Sequence, residues 1–194
     1  MLPHLAQMSK MASSLSSASF TAARSVERAL RDIDEQEGRL DILVNNAGVS
    51  STADVSGSVA LQVFDTNAIG VIRVTQAALP LLEKSENPVV VNVSSVLGSF
   101  WAVTNPERRQ FHFPSIMYGA SKAAVSMLTV QYAKTYPDVK FNAVEPGFTA
   151  TELTPFSGAG QPVEDGAEVI VRMATIGKNG PTGTFQEGDA ELGW

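Results

Sequence analysis

Three short apolar runs, each ending in small or polar residues, constrain this chain more than anything else in it. They read "LDILVNNAG" (40–48), "NPVVVNVSS" (87–95) and "VKFNAVEPG" (139–147). Short apolar runs bounded by turn residues are the pattern of buried strands. A strand that is apolar on both faces must be covered on both, which is the condition of a parallel sheet between helices.

The text between them supplies those helices. "SVERALRDIDEQEG" (25–38) is amphipathic and stops at Gly38, a helix with its C-terminal signal. Residues 59–85 read as one long helix or two, with Pro80 kinking it unless a new segment begins there. "GASKAAVSMLTVQYAKTYP" (119–137) and "VEDGAEVIVRMAT" (163–175) are helices, and "PTGTF" (181–185) is a last short strand. Strand and helix alternate, so the expected fold is α/β: a Rossmann-like parallel sheet with helices on both faces. Residues 98–117 and 152–162 are irregular and long enough to be functional loops or lids.

Length and composition narrow the function classes. With 194 residues there is enough chain for one domain with a sizeable core. Residues 25–194 read as a single, partial domain and 1–24 as a disordered or remnant leader. The first 26 residues hold no acidic side chain and many serines; an organelle transit peptide is the minor alternative to a cytoplasmic location. A net charge of −6, with no basic cluster longer than Arg108–Arg109, argues against a nucleic-acid surface. The absence of cysteine excludes disulfides, thiolate zinc sites and cysteine nucleophiles. His4 and His112 are far apart and read as incidental, so no metal site is expected. No apolar run approaches the ~20 residues of a membrane span.

In open parallel sheets, ligands bind beyond the carboxyl ends of the strands. Here those ends carry Asn45, Asn46, Ala47 and Gly48; then Asn92, Ser94, Ser95 and Gly98; then Glu145, Pro146, Gly147, Thr149 and Thr151. Any one set is ordinary turn chemistry. What sharpens the reading is Tyr118 with Lys122, four places apart at the start of the helix after the second strand, where they share a face. Tyr136 and Lys140 have the same spacing, but Pro137 and Asp138 stop the helix between them and put them on different elements.

With these residues in order, the chain resembles the short-chain dehydrogenase/reductase family, in its carbonyl-reductase-like branch. The matching texts are "DILVNNAG", "FDTNAIG", "VVVNVSSVLGS", "YGASKAA", "NAVEPGFTAT" and "GPTGTF", from about Val26 to Trp194. The resemblance implies a nicotinamide cofactor, NADP or NAD, and hydride transfer between it and a small carbonyl or alcohol substrate. It implies Tyr118 as general acid/base, Ser95 bonded to the substrate oxygen, Lys122 holding the nicotinamide ribose and stabilising tyrosinate, and Asn67 holding a relay water. Asn46, Ala47 and Gly48 would lie against the adenine-ribose side of the cofactor. Pro146, Gly147, Thr149 and Thr151 would cradle the carboxamide and phosphates, with Tyr118 and Lys122 also touching the cofactor. A cation about 4–5 Å from the phenol, at an effective dielectric near 20, would lower its pKa by roughly two to three units from ~10.

Two departures from the family pattern stand out. The text between Ser95 and Tyr118 is long and carries Trp101, Phe111 and Phe113; it resembles the insertion that borders the substrate pocket in carbonyl-reductase-like members, or it is a surface loop whose aromatics anchor it. With Phe148 and Phe156, Trp101 suggests an apolar pocket. The second departure is at the start: no glycine precedes Gly38, so the glycine-rich turn that holds pyrophosphate at a helix N-terminus is not found. The fold is therefore expected to be N-terminally truncated, with "LDILVNNA" as an exposed apolar edge. Three readings follow: an oxidoreductase whose first part is lost from the record, a non-catalytic remnant that binds a full-length relative, or an inactive product of a mis-set gene start. Oligomeric state is unassigned. The 194-residue chain is expected to bind NADPH weakly and to reduce aldehydes and ketones little; a fluorescence titration with tight, saturable binding would overturn this.

Overall fold

The computed structural model describes residues 23–51, 55–151, 153 and 160–194. Most of the expected leader, His4, Phe156 and most of the 152–162 loop lie outside the described residues. Five strands form one sheet in the order β1 (Ile42–Asn45), β2 (Val89–Val93), β3 (Lys140–Glu145), β4 (Phe185–Glu187) and β5 (Ala190–Glu191). The first three pairings are parallel and the last is antiparallel.

Helices cover both faces, as the apolar runs require. α1 (Ala23–Glu37) starts two residues inside the expected leader and ends at Gly38, whose φ of +70° is the left-handed stop. α2 (Gly57–Phe64) continues through a π-helical turn (Asp65–Ile69) into α3 (Gly70–Leu82). The break in this long segment is thus the π turn bearing Asn67, and not Pro80, which sits exposed in the last turn of α3. The described part of the 98–117 insertion contains the short helix α4 (Phe100–Thr104) and a 3-10 turn (Arg109–His112). α5 (Ile116–Thr135) and α6 (Val163–Ala174) complete the set. Of the strand expected over 181–185, only Phe185 belongs to a strand, β4, and β5 follows it; Pro181 to Thr184 lead into β4, with Gly183 N–H donating to the Phe141 carbonyl at 2.7 Å.

Successive residues of a strand point to opposite faces, and the core divides accordingly. Leu43, Val90 and Phe141 pack against α1, α3 and α5 through Leu30, Leu79, Leu82 and Tyr132. Val89, Val91, Val93 and Val144 pack against Val169, Met173 and Ala174 of α6. β1 is the edge strand among the described residues, pairing only with β2. Its faces are not bare: Leu43 and Asn45 are buried, and Ile42 and Val44 pack against the α6 side. Tyr136 caps the C-terminus of α5 while Lys140 opens β3 and donates to Asn87 at 2.8 Å, so this pair is on separate elements as expected. No helix among the described residues is long and apolar enough to cross a membrane.

Two of the strand-end asparagines prove to be internal ties. Asn45 Nδ2 donates to Asn92 Oδ1 at 2.8 Å and to Thr75 Oγ1 at 3.1 Å, and Asn92 Nδ2 donates to Thr129 Oγ1 at 2.9 Å. One buried chain of amides and hydroxyls thereby links β1, β2, α3 and α5. Removing a buried partner leaves the others unsatisfied at about 1–3 kcal/mol. Asn92→Ala should therefore lower the urea midpoint by that stability with the m-value unchanged; a midpoint equal to that of the unmodified chain contradicts the role.

Candidate active site

The site forms where the turn after β2 lies on the first turns of α5. Ser95 caps a 3-10 turn (Val96–Gly98), its hydroxyl accepting from Leu97 N–H at 3.3 Å. That turn sits directly on helix backbone. A Cβ at Gly98 would lie 2.5 Å from Ala123 N and Lys122 C, and one at Gly119 would lie 2.9 Å from the Leu97 carbonyl oxygen. Ser94 secures the same junction, donating to the Lys122 carbonyl at 3.0 Å and meeting Ser126 Oγ at 2.9 Å. Ser94, like Asn45 and Asn92, is a structural group, although all three stand in the strand-end texts that suggested a ligand site.

This seat brings the expected residues together. Ser95 stands close enough to Tyr118 to hold its pKa down against burial. The Lys122 ammonium lies 5.7 Å from the centroid of the Tyr118 ring and donates to the Val93 carbonyl at 2.7 Å. Asn67, fully buried in the π turn, holds the loop after β1: Oδ1 accepts from Val49 N–H at 2.7 Å, and Nδ2 donates to the Val49 carbonyl and to Ser121 Oγ, both at 2.9 Å. One Oδ1 lone pair remains for the water expected there. A Cβ at Gly48 would fall 3.3 Å from Lys122 Nζ and 3.6 Å from Asn67 Oδ1, so the backbone of this loop runs close over the lysine.

The loop after β3 closes the other side. Gly147 has φ +78°, which favours glycine, and a Cβ there would lie 2.7 Å from Gln161 Nε2. Thr149 Oγ1 donates to the Pro146 and Gly147 carbonyls at 3.2 Å, Thr149 and Gln161 form a parallel bridge, and Thr151 N–H donates to the Thr149 carbonyl at 2.9 Å. Gln161 was not singled out in the sequence, since nothing local marks a glutamine as the brace of a loop twelve residues earlier. Asn46 and Ala47 lie in the loop after β1 beside Gly48, Asn46 exposed and Ala47 half-buried. Trp101 is anchored: Arg108 stacks over it at 5.3 Å while binding Glu187 at 2.7 and 2.9 Å, and Trp101 N–H donates to the Trp194 carbonyl at 2.9 Å. Phe111, Phe113 and Phe148 are exposed.

The electrostatics reverse one expectation. Lys122 was expected to acidify Tyr118. Instead the Tyr118 pKa is pushed up to about 12, first by burial and then by the Glu145 carboxylate, with the Ser95 hydrogen bond opposing. Burial also lowers Lys122 to about 8, against a smaller upward pull from Glu145. Desolvation penalises every charged form, and the ammonium lies over the ring face rather than at the hydroxyl. Glu145, which sequence reasoning passed over as turn text, is 6% exposed at the end of β3. It accepts from Val96 N–H and from Gly147 N–H at 2.7 Å. The strand's two-residue period was the available signal: Glu145 falls on the face of Phe141 and Ala143, the α5 side.

A family model described as short chain dehydrogenase matches residues 4–161. A short-chain dehydrogenase/reductase of Stachybotrys chlorohalonatus is 32% identical over 183 residues, covering 86% of this chain; the chain spans 65% of that relative's length. Among solved structures, NADPH-bound carbonyl reductase from chicken fatty liver superposes with TM-score 0.79 at 22% identity, covering 97% of this chain and 82% of the other. Salutaridine reductase from Papaver somniferum gives TM-score 0.71 at 26% identity, covering 89% and 81%.

The Lys122 pKa has a measurable consequence. The folded value of about 8 is below the unfolded 10.5, so between them the unfolded chain holds a proton that the folded chain has released. Stability from this group therefore rises as pH goes from about 8 to 10.5. Unfolding free energies across that window should climb for the unmodified chain relative to Lys122→Met; parallel profiles would contradict the burial.

Proposed function

The chain belongs to the short-chain dehydrogenase family, and from that premise we propose that it is a nicotinamide-dependent oxidoreductase acting in the direction of carbonyl reduction. The observation that carries the reading is the convergence of Ser95, Tyr118 and Lys122 at one strand–helix junction. The Gly48 backbone, whose Cβ would stand 3.3 Å from Lys122 Nζ, and the left-handed turn at Gly147 flank that junction. Small residues and exposed loop backbone at these two strand ends fit a nicotinamide and its ribose. Lys122 and Tyr118, with Pro146, Gly147, Thr149 and Thr151 opposite, would hold them, and Asn46, Ala47 and Gly48 would border the ribose towards the adenine. The described residues contain no glycine-rich phosphate turn. NADP and NAD are both compatible with this set.

The cofactor, when bound, supplies the hydride. The side chains supply the rest. At neutral pH Tyr118 keeps its proton, since its pKa is near 12, which suits a donor better than a base. A carbonyl oxygen between Tyr118 and Ser95 would meet two hydroxyls as negative charge builds on it. Tyr118 then gives up its proton, and the tyrosinate forms beside an ammonium still largely charged below pH 8. Trp101 and Phe148 favour an apolar ketone or aldehyde, and a secondary alcohol as product. Carbonyl reductase activity in particular is in keeping with the carbonyl reductase from chicken fatty liver, whose fold this chain shares.

The test is turnover of aromatic and aliphatic carbonyls at millimolar NADPH and NADH. Slow reduction is expected, lost about 100-fold or more in Tyr118→Phe with cofactor binding nearly unchanged. Equal turnover in the variant removes Tyr118 from the mechanism. No turnover at saturating cofactor favours a non-catalytic binding partner.

A further inference from the structure

The main-chain ladder between β2 and β3 ends with Ser94 N–H donating to the Val144 carbonyl at 2.9 Å. A parallel ladder repeats every two residues, so its next bond would run from Val96 N–H to the Pro146 carbonyl. Val96 N–H donates instead to Oε2 of Glu145, and the Pro146 carbonyl accepts from Gln161 Nε2 and from Thr149 Oγ1. The two strands have parted here, and the buried Glu145 side chain spans the gap.

The same carboxylate has a second hold, since its Oε1 accepts from Gly147 N–H at 2.7 Å. That N–H belongs to the Pro146–Gly147 peptide, whose carbonyl is the one that Gln161 and Thr149 grip. The peptide plane is thus held at both ends, just before the left-handed φ of Gly147. Val96 N–H belongs to the Ser95–Val96 peptide, so its bond fixes the extended backbone on which the Ser95 side chain stands. We propose that Glu145 is a positioning residue that stands in for the next rung between β2 and β3, holding the Ser95 turn and the Gly147 turn at one separation. The proposal rests on the reductase reading for its consequence: a carbonyl beside Ser95 and a nicotinamide beside Gly147 would be kept in register.

The tie is strongest with the carboxylate ionised, because both oxygens then accept charge-assisted bonds. Lys122 and Tyr118 face it from α5, and Glu187 faces it from β4 while paired with Arg108 of the insertion. Burial holds the carboxyl above its ordinary range, and the two backbone N–H groups oppose that. Protonation turns one oxygen into a donor and so weakens the hold on one of the two peptides.

The test needs neither cofactor nor turnover, so it can fail while the reductase reading stands, and the reverse. In the full chain, the amide NMR signals of Val96 and Gly147 are followed against pH. A single shared carboxylate requires one midpoint for both, above that of free glutamate and missing in Glu145→Gln. Two different midpoints, or none, overturn the proposal. Hydrogen exchange at the same two amides is then compared above that midpoint. Glu145→Gln leaves only one accepting oxygen, so at least one of the two amides should exchange about tenfold or more faster. Glu145→Asp keeps the charge but is one carbon shorter, and it should free at least one amide in the same way. Unchanged exchange at both amides in either variant overturns the proposal. Should neither variant fold, the titration of the unmodified chain decides by whether the two midpoints coincide.

Discussion

Backbone rests on backbone where the turn after β2 meets α5, and the site depends on that contact. Gly98 faces the Lys122–Ala123 peptide and Gly119 faces the Leu97 carbonyl, each with no room for a Cβ. A Cβ at either place would force the turn and the helix apart. Ser95 would then move relative to Tyr118, and the Lys122 ammonium would be drawn off the Val93 carbonyl. Helix α5 is held at this height further along by Ser94 with Ser126 and by Asn92 with Thr129. Polar groups at the strand ends therefore divide into two kinds. Asn45, Asn92 and Ser94 are consumed in holding the elements together, and Ser95 and Glu145 face Tyr118 and Lys122.

The same closeness decides the electrostatics. A tyrosine, a lysine and a glutamate share a small, largely desolvated space. In such a place the cost of losing water outweighs attraction across several ångströms, so all three groups lean towards their neutral forms. A phenol that holds its proton firmly is suited to donating to an oxygen that is becoming negative, and less to removing a proton from an alcohol. The insertion before α5 contributes little to this balance. It is fastened at its base by Arg108 between Trp101 and Glu187, while Phe111 and Phe113 stay exposed.

Much of this architecture is written in local pattern. The apolar runs, the glycine stop at Gly38, the decoy status of Tyr136 and Lys140, and the shared helical face of Tyr118 and Lys122 all follow from periodicity and turn chemistry over fewer than ten residues. The site residues Asn67, Ser95, Tyr118 and Lys122 come together in the fold. What pattern could not show was the break at the π turn in place of Pro80. A proline in the last turn removes little from a helix about to end, whereas a π turn is set by what Asn67 must reach.

By itself, the sequence determined the class of fold and the order of its strands and helices, because those depend on spacing along one chain; the candidates for proton transfer came with the family resemblance. Tertiary structure alone decided that Asn45 and Asn92 are internal ties, that Gln161 braces the Gly147 turn, that Glu145 ties the turn after β2 to the loop after β3, and that Tyr118 is made less acidic rather than more. Each of those depends on which groups from distant segments exclude water from one another. Desolvation is a property of the packed neighbourhood, and no stretch of residues carries it alone.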